Sequence, residues 1–433
     1  MHAAALAAVD PGRLIAGRLA RHGDRVRIDL RDAVVWRPAA RIRIVGAGKA
    51  AAAMARAVAA ILPEASGVVV APRSASPGGS RRAGRIRILP GNHPVPGRAT
   101  FDSTATLLAA LDRFPRDATV LCLLSGGASA LFAAPAPGLS RADKATLTRY
   151  LLRCGAPIEA MNAVRKHVSA VKGGRLALRA APREVLTLAL SDVPGDDLAT
   201  IGSGPTVGDP TSFRDALRLL RRAGAGELPA RILDHVAAGA ALLLEETPGP
   251  GDARLRRSRA VVIGCNDTAR VAAAAAAEGR GYVVRRSREG LTGEAADRAR
   301  RFVGTLPRDP RRPTCVIAGG ETFVTAAGSS GRGGRCQEMA VAASADLAGT
   351  GWTILFAGTD GRDGPTDAAG GFADGTSLGR AGRRRVSRAL REHDSHPLLR
   401  DLGDLLRTGP TGTNVMDLAI ALHPGRPFAT GGR

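Results

Sequence analysis

Short, continuous apolar runs alternate with alanine- and leucine-rich stretches along the whole chain. The runs at Arg41–Val45, Gly67–Ala71, Thr119–Leu124, Val185–Leu190, Ala260–Ile263, Tyr282–Arg285, Thr314–Ala318 and Thr353–Ala357 predict strands. Stretches such as "KAAAAMARAVAAIL" and "NDTARVAAAAAAEGR" lie between them and predict helices. Strands apolar on both faces, joined by helical crossovers, belong to buried parallel sheets. The predicted class is therefore α/β, with Rossmann-like domains and largely parallel sheets. A Pro/Gly-rich and then basic stretch, "LLLEETPGPGDARLRRSR" (Leu242 to Arg259), follows an apolar helix and precedes a fresh strand. It divides the chain into expected domains of residues 1–245 and 258–433. Two further loops are expected at Pro72 to Arg85 and at Gly328 to Arg335.

Several strands run into small, polar, glycine-rich loops: Val45 into "GAGK", Leu124 into "SGGAS", Leu190 into "SDVPGDD", Ile263 into "GCND", Ala318 into "GGET" and Ala357 into "GTDGRDG". Open α/β sheets bind ligands outside the carboxyl ends of their strands. Glycine lets backbone amides approach an anion there, and a following helix adds its dipole. The stretch "RIVGAGKA" has this form, but it satisfies neither common nucleotide motif. A Rossmann fingerprint would match Gly46, Gly48 and Ala51, yet the next strand ends in Pro72 and Arg73, not in a ribose-binding acid. An arginine there could serve a 2′-phosphate. A Walker loop needs Ser or Thr after the lysine, where this chain has Ala50.

Composition removes several alternatives. The chain has 433 residues, 44% of them hydrophobic, which suits a globular protein with large cores. No apolar run reaches the roughly 18 residues of a membrane span, and the N-terminus makes a poor signal peptide. Five cysteines, never spaced C-x-x-C, point to a reducing cytoplasm with neither a disulfide frame nor a zinc site. The net charge of +23 would suit nucleic acid, but the arginines are dispersed and aromatics make up only 3%. The expectation is that no nucleic acid is bound. "GRAGRRRVSRALRE" (Gly379 to Glu392) is read as the solvated face of a helix.

Two loops concentrate acids at strand ends. One carries Asp192, Asp196 and Asp197 and then Ser203, Gly204 and Thr206; the other carries Asp360, Asp363 and Asp367. Carboxylates in rigid loops suit Mg²⁺, which takes a few of them and leaves room for water and phosphate oxygens. "MNAVRKHVSAVKGGRLA" (Met161 to Ala177) has a helical pattern, with Arg165 and Ser169 as i, i+4 neighbours on a basic face. Arg335 stands behind a glycine loop, where a guanidinium can reach a developing phosphoryl charge. "TGPTGTNVMD" (Thr408 to Asp417) adds hydroxyls and Asn414. Ser125 lacks the first glycine of a nucleophile elbow. His93 and His167 show no metal spacing. Together these groups suit phosphoryl transfer, which needs positioning and charge neutralisation more than covalent chemistry.

Taken in order, "GAGKA", "GNHPVP", "LLSGGASAL", "MNAVRKHVSAVKGGRLA", "SDVPGDDLATIGSGPT", "GGETFVT", "GGRCQEMA", "GTDGRDGPTDAAGG" and "TGPTGTNVMDLAI" resemble the glycerate 2-kinase family with a C-terminal MOFRL domain. The resemblance spans about Ile42 to Leu422. It implies two α/β domains around a central cleft, a reaction of ATP with D-glycerate giving 2-phosphoglycerate and ADP, and a divalent cation, Mg²⁺. It places the functional lysine on Lys49, the arginine on Arg335 and the "SDV" aspartate on Asp192. On this reading Lys49 neutralises the glycerate carboxylate or the transferring phosphoryl group, and Arg335 clamps the same charge. Asp192 activates the 2-hydroxyl or holds the metal, with Asp360 as the other metal ligand. Ser125, Gly126 and Gly127 of "SGGAS", and Ser203, Gly204 and Thr206 of "GSGPT", cradle phosphates through backbone amides; Arg165 and Asn414 complete the binding set. Cys336 stands where the family usually has Asn, which bears on one polar contact near Arg335. A homodimer is compatible with this picture. The alternative is an NAD(P)H-dependent hydroxypyruvate reductase, a label also given to members of the family.

Overall fold

The computed structural model describes residues 1–73, 81–325 and 330–426. Residues 74–80 and 328–329, parts of the two expected loops, lie outside the described residues. The chain divides into two compact units, one of residues 11–263 and one of residues 1–10 with 264–433.

The first unit opens with an antiparallel meander of β1 (Leu19–His22), β2 (Arg25–Asp29) and β3 (Val34–Pro38). These strands are short, each carries arginine, and the sequence pattern did not reveal them. The main sheet contains β4 (Ile42–Ala47), β5 (Ser66–Pro72), β6 (Arg82–Ala83), β7 (Arg85–Gly91), β8 (Thr119–Leu124), β9 (Glu184–Leu190) and β10 (Ser258–Gly264). Their spatial order is β10-β9-β8-β4-β5-β7-β6. The pairs β4–β5, β4–β8, β5–β7 and β8–β9 are parallel. All six residues of β8 are buried, as expected of a central strand covered on both faces.

The unit boundary falls after β10, not before it. β10 was expected to open the second domain, but it forms an edge of this sheet. The Pro/Gly-rich stretch ahead of it is tied down: Asp209 N donates to Pro248 O at 2.8 Å, and Thr247 is buried. Turn chemistry and linker chemistry use the same residues, and only the packing separates them.

The second unit holds a six-stranded sheet of β11 (Val283–Arg286), β12 (Thr314–Gly320), β13 (Thr353–Gly358), β14 (Gly370–Asp374), β15 (Leu405–Leu406) and β16 (Asp417–His423). The order is β11-β12-β16-β13-β14-β15. β11 and β12 pair in parallel, whereas β16 runs antiparallel to both β12 and β13, so β11, β12 and β13 share one direction. The helix Arg335–Leu347 covers this sheet, with Met339, Ala340 and Ala343 buried against Phe356 and Ala419.

One expected helix is broken. Met161 to Ala177 forms the end of the helix Ile158–His167, then a turn, then the start of the helix Arg175–Ala180. Ser169 lies in the turn and its hydroxyl donates to Ala134 O at 3.2 Å, so Arg165 and Ser169 do not share a helix face. The helix Arg383–Arg391 matches expectation, burying only Val386 and Ala389.

Candidate functional site

The main sheet of the first unit winds in two directions from β4. The chain steps to β5 and β7 on one side, then returns to β8 and β9 on the other. The loops after β4 and β8 therefore flank the switch point, where such sheets take their ligands. Lys49 follows β4, and Ser125, Gly126 and Gly127 follow β8.

The glycine turn after β4 is closed to phosphate. The amides of Gly48 and Lys49 donate to Val70 O at 3.1 Å and Gly126 O at 2.7 Å, and that of Ala51 to Gly48 O at 3.2 Å. The amide of Ala50 donates to Ser125 Oγ at 3.0 Å. A dinucleotide or Walker loop needs such amides for its ligand, and here Gly48 to Ala51 have spent theirs on β5, on the loop after β8 and on the turn itself. Gly48 permits this closeness: its φ is +140°, and a Cβ would lie 2.1 Å from Ser125 Oγ. What the turn presents is the half-buried side chain of Lys49.

The loop after β8 is the open partner. The amides of Gly126 and Gly127 donate to no acceptor among the described residues. A Cβ on Gly127 would meet His93 Cδ2 at 3.0 Å and Lys49 Cγ at 3.3 Å, so the lysine stem and the imidazole flank this glycine. The polar surface continues from there. Ser129 Oγ lies 3.1 Å from Ser203 Oγ, which donates to Asn162 Oδ1 at 3.2 Å.

The "GSGPT" turn departs from expectation. Gly202, Ser203 and Gly204 have φ of 60°, 64° and 60°. The amides of Ser203 and Gly204 are spent on Thr200 O and Ile201 O, at 2.9 and 3.0 Å. This turn therefore does not cradle phosphate through those amides; it presents the Ser203 hydroxyl. Ser203 occupies a left-handed conformation that non-glycine residues adopt at some cost. The turn is braced from behind by Gly173 N to Ser203 O at 3.0 Å, Gly174 N to Gly204 O at 2.7 Å and Lys172 Nζ to Gly202 O at 3.3 Å. Thr206 is buried and hydrogen-bonds Thr187 Oγ1 of β9 at 2.8 Å, so its hydroxyl is engaged inside the unit. Asp192 is half-buried two residues beyond β9. Arg165 is half-buried near the end of its helix, and burial pulls its pKa below the ordinary arginine value.

In the second unit Arg335 begins its helix and is neutralised by two acids. Its Nη2 donates to Asp417 Oδ1 at 2.8 Å, its Nε to Asp417 Oδ2, and its Nη1 lies 2.9 Å from Glu321 Oε1. Burial works against its charge, but Asp417 and Glu321 more than offset it and raise its pKa. Asp417 is the first residue of β16 and is fully buried. Asn266 donates to the main-chain oxygens of Val415 and Asp417 at 2.8 and 3.0 Å, fixing this strand start. Cys336 is buried next to Asp417; burial first, and then that carboxylate, push its thiol well above the ordinary cysteine value. Asn414 is buried two residues before Met416, whose amide it accepts at 3.3 Å.

The acids of the "GTDGRDG" loop have local tasks. Asp363 accepts from the amides of Cys336 and Gln337 at 3.0 and 2.8 Å and so caps the helix of Arg335; burial raises its pKa to about 6. Asp367 bonds His396 and Arg407, each at 2.8 Å. Asp360 accepts from Arg362 N at 3.0 Å. Asp192 and Asp360, the expected metal ligands, belong to different units. Among the described residues no three His, Cys, Asp or Glu converge as a metal cage.

Sequence reasoning placed Asn162 with Arg165 on one helical stretch, but it missed Asp417, Glu321 and Ser129 as members of these clusters. Asp417 carried a signal, a carboxylate heading an otherwise apolar strand. The other two follow ordinary loop and helix chemistry, and only folding brings them into their clusters.

This fold and these groups define an α/β enzyme that handles small anions. The sequence comparisons narrow the class. Residues 1–237 match the family described as a domain of unknown function, DUF4147, and residues 314–417 match the MOFRL family. A glycerate 2-kinase of Pyrococcus horikoshii is 36% identical over 96% of this chain and 94% of its own length. A putative hydroxypyruvate reductase of Agrobacterium vitis is 38% identical over 89% and 88%. The crystal structure of a glycerate kinase from Thermotoga maritima superposes with a TM-score of 0.80, at 35% identity, over 98% of this chain and 97% of that one. The chain belongs to the glycerate 2-kinase family.

Proposed function

We propose that this enzyme transfers the γ-phosphoryl group of ATP to the 2-hydroxyl of D-glycerate, giving 2-phosphoglycerate and ADP. The observation that carries this reading is the pairing at the switch point: Lys49 beside the open amides of Gly126 and Gly127. That pairing suits an oxyanion whose charge grows during transfer. Lys49 neutralises the transferring group, and the Gly126 and Gly127 amides hold its oxygens. Asp192 accepts the proton of the acceptor hydroxyl or binds the cation. The family resemblance assigns a second positive charge to Arg335, which Asp417 orients within its own unit.

Mg²⁺ fits as the companion of the nucleotide. Such an ion takes one or two carboxylates and fills its other positions with phosphate oxygens and water. Asp192 is suited to be a single carboxylate of that kind, and Asp360 is the second candidate. When bound, the ion would neutralise phosphate charge.

The reductase alternative is disfavoured by the closed turn after β4, whose amides cannot also hold a pyrophosphate. No helix among the described residues is long and apolar enough to cross a membrane. None of the five cysteines is in a disulfide, which supports a reducing compartment such as the cytoplasm.

The test is ADP release from Mg-ATP and D-glycerate, with the product assigned as 2- or 3-phosphoglycerate and NADH plus hydroxypyruvate run in parallel. ADP with 2-phosphoglycerate is expected. NADH oxidation without ADP would reject the kinase.

A further inference from the structure

Lys144, Arg165 and Lys172 of the first unit make no ion pair with a described carboxylate. Lys144 is buried and donates to Arg165 O at 3.0 Å and Val168 O at 3.1 Å, which caps the carboxyl end of the helix Ile158–His167. That explains Lys144. Lys172 is fully buried, and among the described residues its Nζ bonds only Gly202 O, at 3.3 Å. Arg165 makes no ion pair with any described residue, although burial already disfavours its charge. Nearby basic groups are treated differently. Lys166 pairs with buried Asp209 at 2.8 Å, and His167 meets Glu246 at 2.6 Å.

An unmatched buried charge is costly, so a pair of them in one place calls for an anion. Their surroundings show where it would lie. Asn162 precedes Arg165 by one helical turn, so the two are neighbours on the helix, and Asn162 accepts from Ser203. Lys172 holds Gly202, the residue before Ser203. The links therefore run from Arg165 through its helix neighbour Asn162 to Ser203 and Ser129, two residues beyond Gly127, while Lys172, which feels the Arg165 charge, holds the turn from behind.

We propose that Arg165 is the seat of the acceptor's carboxylate and that Lys172 is its positioning residue, holding the Ser203 turn in place and adding positive charge behind it. The inference rests on the glycerate kinase reading, and it divides the two oxyanions of that reaction. The Gly126 and Gly127 amides with Lys49 take the phosphoryl group. The planar fork of Arg165 takes the carboxylate, to which it can bond in bidentate fashion. Ser203 and Asn162 offer a hydroxyl and an amide to the acceptor's own hydroxyls.

The experiment compares Arg165→Met, Arg165→Lys and Lys172→Met with the wild type, using D-glycerate, its neutral amide and ATP as varied substrates. Arg165→Met is expected to raise KM for D-glycerate by roughly 30-fold, the scale of one lost charge-assisted pair. KM for ATP stays within about twofold, the preference for acid over amide collapses, and Arg165→Lys recovers part of both. Lys172→Met raises KM for D-glycerate while its melting temperature holds or rises, because an unmatched buried charge has been removed. A rise in KM for ATP alone would place a nucleotide phosphate at Arg165 and overturn the proposal. Unchanged KM values would overturn it too, and a melting temperature that falls with KM unchanged would make Lys172 merely structural. If the wild type released no ADP, sulfate would serve as the probe. Thermal stabilisation by sulfate in the wild type but not in Arg165→Met would keep the anion seat and discard the kinase; equal stabilisation of both would discard the seat.

Discussion

The guanidinium of Arg335 and the fully buried carboxylate of Asp417 are 82 residues apart in sequence and meet through two hydrogen bonds. Helix start and strand start thereby lock each other, and Arg335 is oriented before any substrate arrives. Breaking a pair of this kind leaves one charge unmatched, at about 3 kcal/mol. Arg335→Ala, which strands the buried Asp417 carboxylate, should lose stability on that scale in urea unfolding. Arg335→Ala/Asp417→Ala should be less destabilised than the sum of the single variants, by at least about 1 kcal/mol. Strict additivity would show that the two residues are not coupled.

Lys49 is half-buried, and its amide ties the loop after β4 to the loop after β8, a bond that a side-chain change leaves in place. Lys49→Ala should therefore lower kcat for ADP formation by roughly 100-fold or more, with a melting temperature close to the wild type. Undiminished turnover would remove Lys49 from the chemistry.

Gly48 has no room for a side chain. A Cβ would lie 2.1 Å from Ser125 Oγ and 2.5 Å from Ser125 O, at a φ of +140°. Gly48→Ala should cost about 2 kcal/mol or more by chemical denaturation and should reduce activity, because both loops at the switch point must shift. Gly226→Ala, where nothing lies within 4 Å, is the control and should change little.

Lys172 gives stability a pH dependence whose sign follows from its surroundings. Burial, and then Arg165, lower its pKa from 10.5 to about 7. Between those values the unfolded chain holds the proton and the folded chain does not, so this group makes stability rise with pH from about 7 towards 10.5. Below about 7 both states are charged and the folded state bears the full burial cost. Lys172→Met should flatten that rise in melting curves taken across the interval. A rise of equal slope in the variant would assign it to other groups.

NADH should not be consumed with hydroxypyruvate, because the amides of Gly48 to Ala51 already have acceptors within the protein. Saturable NADH binding that Gly48→Ala abolishes would contradict this.

The sequence by itself determined the fold class, most of the strand positions of both large sheets, and the loops that carry Lys49, Ser125, Asp192 and Arg335. Apolar runs and glycine turns are local signals, and local signals survive in one dimension. It did not reveal the meander β1 to β3, whose short strands interleave arginine with apolar residues, or that β10 closes the first sheet, because packing settles which sheet takes an apolar strand. Only the tertiary structure decided how each turn uses its amides. "GAGKA" looks like a phosphate loop, yet its donors are satisfied by Val70, Gly126 and Ser125, and the open amides belong to the next loop along the sheet. The same holds for charge. Nothing local distinguishes Lys166, matched by Asp209, from Arg165, which pairs with no carboxylate among the described residues, because a charge's partner comes from wherever folding brings the chain back.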